Sequence, residues 1–172
     1  LEEGQPLDAE ALAALKGKPA IYHCMSRVVD RRFVLGAPEK EQFTALMRRY
    51  EQFCQVRVIT HSVMSNHFHL LLEVPAPPPG RGRDWSDAQF LAHLACLYSG
   101  KELGKIRWWL EHFRNQDNHQ AAEALRERFF ARMWDLSQFM QSLKFCFSSW
   151  YNRTHDRVGT LSHGMQKRVS IA

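Results

Sequence analysis

The sequence predicts an α+β fold built on an antiparallel sheet, and three observations point to it. The first is an opening order of strand, helix, strand, strand over residues 20–74. The second is a two-residue turn, Ser65-Asn66, between two strand-like runs, which reads as an antiparallel hairpin. The third is a long amphipathic helix over residues 135–155 whose apolar stripe needs a surface to cover.

Each element has its own justification. Residues 7–15 are acidic and Ala-rich and read as a short leading helix. Residues 20–29 combine β-branched and aromatic side chains and read as a strand, followed by a turn at Asp30-Arg31-Arg32. Residues 39–53 set Phe43, Leu46, Met47, Tyr50 and Phe53 three or four apart, which predicts a helix with a charged outer face. Residues 56–64 alternate, and residues 67–74 form an apolar run led by two histidines; together they make the hairpin. A Pro/Gly-rich break at residues 75–83 ends it. Residues 85–98 resume helical periodicity with Ser86 as a cap, and 100–132 read as helical. Segment 76–134 is thus a helical elaboration within one domain spanning 1–172. In the last helix Asp135 caps, Leu136, Phe139, Met140, Leu143, Phe147, Trp150 and Tyr151 form the stripe, and Gly159 follows the end.

Composition narrows the class. A chain of 172 residues, 45% hydrophobic and 24% charged, is long enough for one domain with a substantial core. No run approaches the roughly 18 apolar residues that span a bilayer, and the N-terminal residues lack the pattern of a signal peptide. Cys24, Cys54, Cys96 and Cys146 show no C-x-x-C spacing and read as reduced core residues of a cytoplasmic protein. The formal charge is +5, and residues 135–172 hold five Lys/Arg against two acids beside Trp150 and Tyr151. That balance suits a phosphate backbone with stacked bases, and a solvated helix face gives a similar count.

The chemistry centres on His67-Phe68-His69. Residues two apart on a strand share a face, so the two imidazoles stand side by side and Phe68 points away. Such a pair begins an open site for a divalent ion such as Mg²⁺ or Mn²⁺ that needs a third ligand. Hydrogen-bonded histidines on a half-buried sheet face fit the same pattern. On the long helix Tyr151 and His155 lie four apart and share a face, which offers a nucleophile and a third ligand. An amphipathic core residue is the plainer reading of Tyr151.

These residues resemble the single-tyrosine HUH transposases, in particular the group that includes the REP-associated tyrosine transposases. The resemblance runs through Tyr22-His23, Ser26-Arg27, Met64-Ser65-Asn66-His67-Phe68-His69-Leu70-Leu71, Ser137-Gln138-Phe139-Met140, Trp150-Tyr151-Asn152-Arg153, His155 and Gly159-Thr160-Leu161, about half of the chain. It implies a ferredoxin-like sheet with helices on one face and a divalent metal held by His67 and His69. It also implies a helix tyrosine that attacks single-stranded DNA bearing hairpin elements, leaving a 5′-phosphotyrosine and a free 3′-hydroxyl. Carried onto this chain, Tyr151 is the nucleophile and His155 the third ligand, with Asn152 the alternative. Relatives often place the tyrosine one turn earlier, where this chain has Phe147, and their Gly-x-Leu-Trp tail is replaced here by Ser162, Met165 and Gln166. Relatives continue with a further strand and helix, which are not read in residues up to Ala172. Arg27, Lys144 and Arg153 are the candidate DNA contacts, and a second copy of the chain is a candidate partner.

Other classes compete less well. Histidine-triad hydrolases need a third histidine where Leu71 stands, and no H-E-x-x-H zinc motif occurs. A repurposed protein that keeps the fold and binds DNA without cutting it is the main alternative. An adapter that docks a protein through 76–134 is another, though no feature specifies it.

Overall fold

The computed structural model describes residues 18–27 and 35–155, together with the backbone of 166–171. Strand β1 (Ala20–Arg27) leads through 28–34 to helix α1 (Ala37–Cys54) and then to the hairpin of β2 (Arg57–Val63) and β3 (His67–Val74). Helices α2 (Asp87–Leu94), α3 (Gly100–Asn115) and α4 (His119–Phe130) form the elaboration, and α5 (Leu136–Thr154) and β4 (Gln166–Ile171) complete the order. The sheet runs β2-β3-β1-β4, and every neighbouring pair is antiparallel. This is the ferredoxin-like arrangement expected from the sequence.

Alternation decides which side of the sheet the helices cover. On β3, Phe68, Leu70, Leu72 and Val74 are buried while the residues between them are half-exposed. Their β1 partners in register, Ser26, Cys24 and Tyr22, are buried as well. Helix α1 presents Phe43, Leu46, Met47, Tyr50 and Phe53, and α5 presents Phe139, Met140, Leu143, Phe147 and Tyr151, to this face. Phe43 joins the layers: its ring centroid is 4.4 Å from Phe68 and 5.4 Å from Phe147. Burying each such side chain contributes about 1.5–3 kcal/mol.

The hairpin turn closes tightly, with the Met64 amide donating to the His67 carbonyl at 2.8 Å. A register shift between Val58 and Thr60 marks a bulge on β2.

Within the elaboration, side-chain caps set the helix starts: Ser86 for α2, Ser99 for α3 and Asn118 for α4. Arg126, only 3% exposed, donates to the Trp85 carbonyl at 2.5 Å and lies 3.4 Å from Asp87. Arg114 bonds Asp87 from α3, and this hydrogen bond holds the carboxyl below its ordinary range. Gly82 has φ +80, and a Cβ there would sit 3.0 Å from the Phe130 ring. The Trp134 amide donates to the Cys54 carbonyl at 2.7 Å, tying the exit of the elaboration to the end of α1.

Three expectations change. The helix read over 85–98 is confined to Asp87–Leu94. The helical stretch 100–132 divides at 116–118, where Asp117 adopts φ 55 and breaks the ladder. A fourth strand follows α5, although none is read there from the sequence; Gln-Lys-Arg-Val-Ser-Ile is short, charged and weakly alternating, as suits an edge strand. The leading helix at 7–15, the end of the strand read over 20–29, the turn at Asp30-Arg31-Arg32 and Gly159 lie outside the described residues. No described helix is long and apolar enough to cross a membrane.

Candidate functional site

The site is built on the sheet face that the described helices leave uncovered. His67 and His69 alternate with buried Phe68 and Leu70, so both imidazoles point away from the helical layer. Their ring centroids are 5.1 Å apart at an interplanar angle of 76°. Antiparallel pairing brings β1 residues onto the same face: Arg27 lies opposite His67, and Met25 opposite His69. From β2, Ser62 lies opposite His69.

Hydrogen bonds hold both rings. Asn66 Oδ1 lies 2.6 Å from His67 Nδ1. An amide oxygen only accepts, so His67 Nδ1 donates to it, and in the neutral ring Nε2 then keeps a lone pair. His23 Nε2 lies 2.9 Å from His69 Nδ1, with the two rings stacked at 5.1 Å and 10°. Each histidine of the pair is therefore engaged through Nδ1, and with His69 Nδ1 donating to His23 Nε2 its own Nε2 carries the lone pair a ligand needs. Burial holds the His69 pKa below the ordinary imidazole value, and His23, His67 and Arg27 push the same way. The ring is kept neutral, the form in which imidazole ligates.

The remaining site candidates lie elsewhere. Tyr151 is buried on α5, with its ring 4.2 Å from His155 and 6.4 Å from Phe147. It thus packs with the helices, on the side of the sheet toward which Phe68 points. His155 Nε2 lies 3.1 Å from Glu39 Oε1, and Glu39 Oε2 accepts from the Gly36 amide at 2.7 Å. That carboxylate fastens the end of α5 to the start of α1. Asn152 Oδ1 is buried without a hydrogen-bond partner among the described residues. Phe147 is 1% exposed. Lys144 and Arg153 are on α5, so of the three candidate DNA contacts only Arg27 joins the histidine face.

Two Nε2 atoms on one rigid face fit two positions of an open cation site. Among the described residues no group of three or more His, Cys, Asp or Glu side chains is arranged to hold a metal ion. The structure therefore brings His67 and His69 together and does not bring His155 to them. Sequence reasoning did not assign roles to His23 and Asn66. The adjacency of Asn66 was visible, but the approach of His23 depends on strand register, which no single-strand pattern encodes.

These features define an α+β protein with a paired-histidine strand on the open face of an antiparallel sheet. Residues 18–78, running from just before β1 to just past β3, match the family described as IS200-like transposases, and the resemblance to single-tyrosine HUH transposases is shown over that segment. The match supports a DNA-processing protein of transposase type, with DNA as its partner. No curated protein matches the chain.

Proposed function

We propose that the chain is a strand-transfer enzyme acting on single-stranded DNA, with the histidine face as its phosphate-handling surface and with Tyr151 as its nucleophile, whose phenol must leave its packing on the helical side of the sheet to reach that face. The observation that carries this reading is the same-face His67/His69 pair, with neither Nε2 atom hydrogen-bonded among the described residues, inside the segment that matches the transposase family. His67 and His69 would hold Mg²⁺ or Mn²⁺; such an ion supplies charge stabilisation to a phosphate oxygen. Arg27, across the strand from His67, adds positive charge beside it. The tyrosine step forms a bond between the phenol oxygen and phosphorus and breaks the P–O3′ bond. The phenol gives up its proton and the departing 3′-oxygen takes one, leaving a 5′-phosphotyrosine and a 3′-hydroxyl. The phosphodiester energy is kept in the ester for a later joining.

A second reading, DNA binding without cleavage, is favoured by one observation. Tyr151 packs on the helical side of the sheet, and Phe147, which has no hydroxyl, stands where relatives often carry the tyrosine. One experiment separates the two. Hairpin-bearing oligonucleotides labelled at either end are incubated with the protein and Mn²⁺, then denatured. A covalent adduct that disappears in Tyr151→Phe supports the enzyme. Binding with no adduct across a broad panel supports the second reading.

A further inference from the structure

Resting on the reading that this chain handles DNA, we propose that the outer face of α3 is a second single-strand contact surface, with Trp108 and Trp109 stacking bases while Lys101 and Lys105 meet phosphates. Helix α3 has a packing side: Leu110 is buried, and Leu103, Ile106 and Phe113 press against the core. Trp108 and Trp109 lie off that stripe, 54% and 46% exposed. Two adjacent indoles left in water are not explained by folding, since burial in the core is what stabilises an aromatic side chain.

Their immediate surroundings identify the partner. Lys101, Lys105, Trp108 and His112 follow one another at steps of four, three and four, so they line one helix face, and Trp109 flanks Lys105 one turn on. Trp108 is stacked on His112 at 5.0 Å and 9°, and Trp109 meets Trp108 edge-on at 4.8 Å and 81°. The rings are thus held in place before any partner arrives. The elaboration also sorts its cations. Arg83, Arg114 and Arg126 pair with Glu127, Asp87 and Glu123 and lock the helices together. Lys101 and Lys105 are exposed and make no ion pair among the described residues. The acids of this helix are Glu102, whose carboxylate accepts from the Ser99 amide at 2.7 Å and lies within the field of Lys105, and exposed Glu111.

Protein interfaces enrich tryptophan but deplete lysine. Aromatic rings interleaved with unpaired cations suit a flexible polyanion whose bases offer flat faces. Nothing in this pattern reads a base sequence, so the contact is tolerant of sequence.

The test measures anisotropy of a short, mixed-sequence, dye-labelled single-stranded DNA with the full chain. The variants are Trp108→Ala with Trp109→Ala, and Lys101→Glu with Lys105→Glu. Because these side chains are exposed, helicity by circular dichroism should be unchanged. The expected result is a loss of about ten-fold or more per indole. Each lysine change should lower the salt slope by about one. Wild-type affinity and slope in both variants would overturn this inference alone, leaving the histidine-face reading intact. A wild-type chain that binds no single-stranded DNA would overturn both. A self-associated wild type dissociated by the tryptophan changes, with DNA affinity unaltered, would reassign the face to contact between copies.

Discussion

His23 Nε2 on β1 lies 2.9 Å from His69 Nδ1 on β3, so one ring of the candidate site is aimed by a histidine 46 positions away in the chain. The role predicted for His23 is positioning. Partners that fix a ligating imidazole typically control its metal affinity by about 10–100-fold. His23→Ala should weaken Mn²⁺ binding by that range, while His23→Gln, which can still hydrogen-bond, recovers part of it. Titration calorimetry of both variants checks this; equal affinity in wild type and His23→Ala would remove His23 from the site.

The pH response of His69 follows from its surroundings. Burial, followed by His23, His67 and Arg27, lowers its pKa from 6.5. In the window below 6.5 and above the folded value, the unfolded chain binds more protons than the folded one. This group's contribution to stability is therefore complete above the unfolded value and is lost as pH falls through the folded one. The imidazole resonances of His69, followed by NMR, should titrate with a midpoint below 6.5. A midpoint at or above that value contradicts the arrangement.

Phe147 tests where the tyrosine chemistry resides. Its ring meets Phe43 edge-on at 5.4 Å and is 1% exposed. A hydroxyl introduced by Phe147→Tyr enters packed core and costs about 1–3 kcal/mol if left unpaired. The expected outcome is a lower denaturation midpoint and no new DNA adduct. An adduct formed by this variant and not by wild type would place the reactive position at 147.

Arg126 tests the locking of the helical elaboration. Its side chain is 4% exposed beside Asp87 and Glu123, and its guanidinium lies 5.5 Å from the Phe90 and Phe130 rings. The partners are partly exposed, and Asp87 keeps Arg114, so removing Arg126 leaves no buried carboxylate unpaired and costs about 1–3 kcal/mol. Arg126→Ala should lose that amount in chemical denaturation. Arg126→Met should lose less, because its thioether chain refills the space between the rings. Equal losses would show that charge, and not packing, dominates.

Much of this molecule was legible where one element reports on itself. The alternation of His67, Phe68, His69 and Leu70 predicted a strand with two imidazoles on one side, and the stripe from Leu136 to Tyr151 predicted a capped amphipathic helix. Relationships between elements were less legible. The sequence reading brought Tyr151 and His155 to the histidine pair, yet the apolar stripe that carries Tyr151 must bury against the apolar side of β3, which is Phe68 and not His67. That signal was present in the two patterns taken together. The approach of His23 depends on β1–β3 register, and β4 on pairing with an edge, neither of which periodicity reports. The break at Asp117 rests on one left-handed residue within an otherwise helical composition.

The most direct test of the histidine site is electron paramagnetic resonance of Mn²⁺ added to the full chain, compared with His67→Ala and His69→Ala. The account predicts that wild-type protein diminishes the free-ion signal and shows nitrogen couplings from two imidazoles, and that each variant loses one coupling and releases ion. A free-ion signal unchanged by the wild-type chain would contradict it.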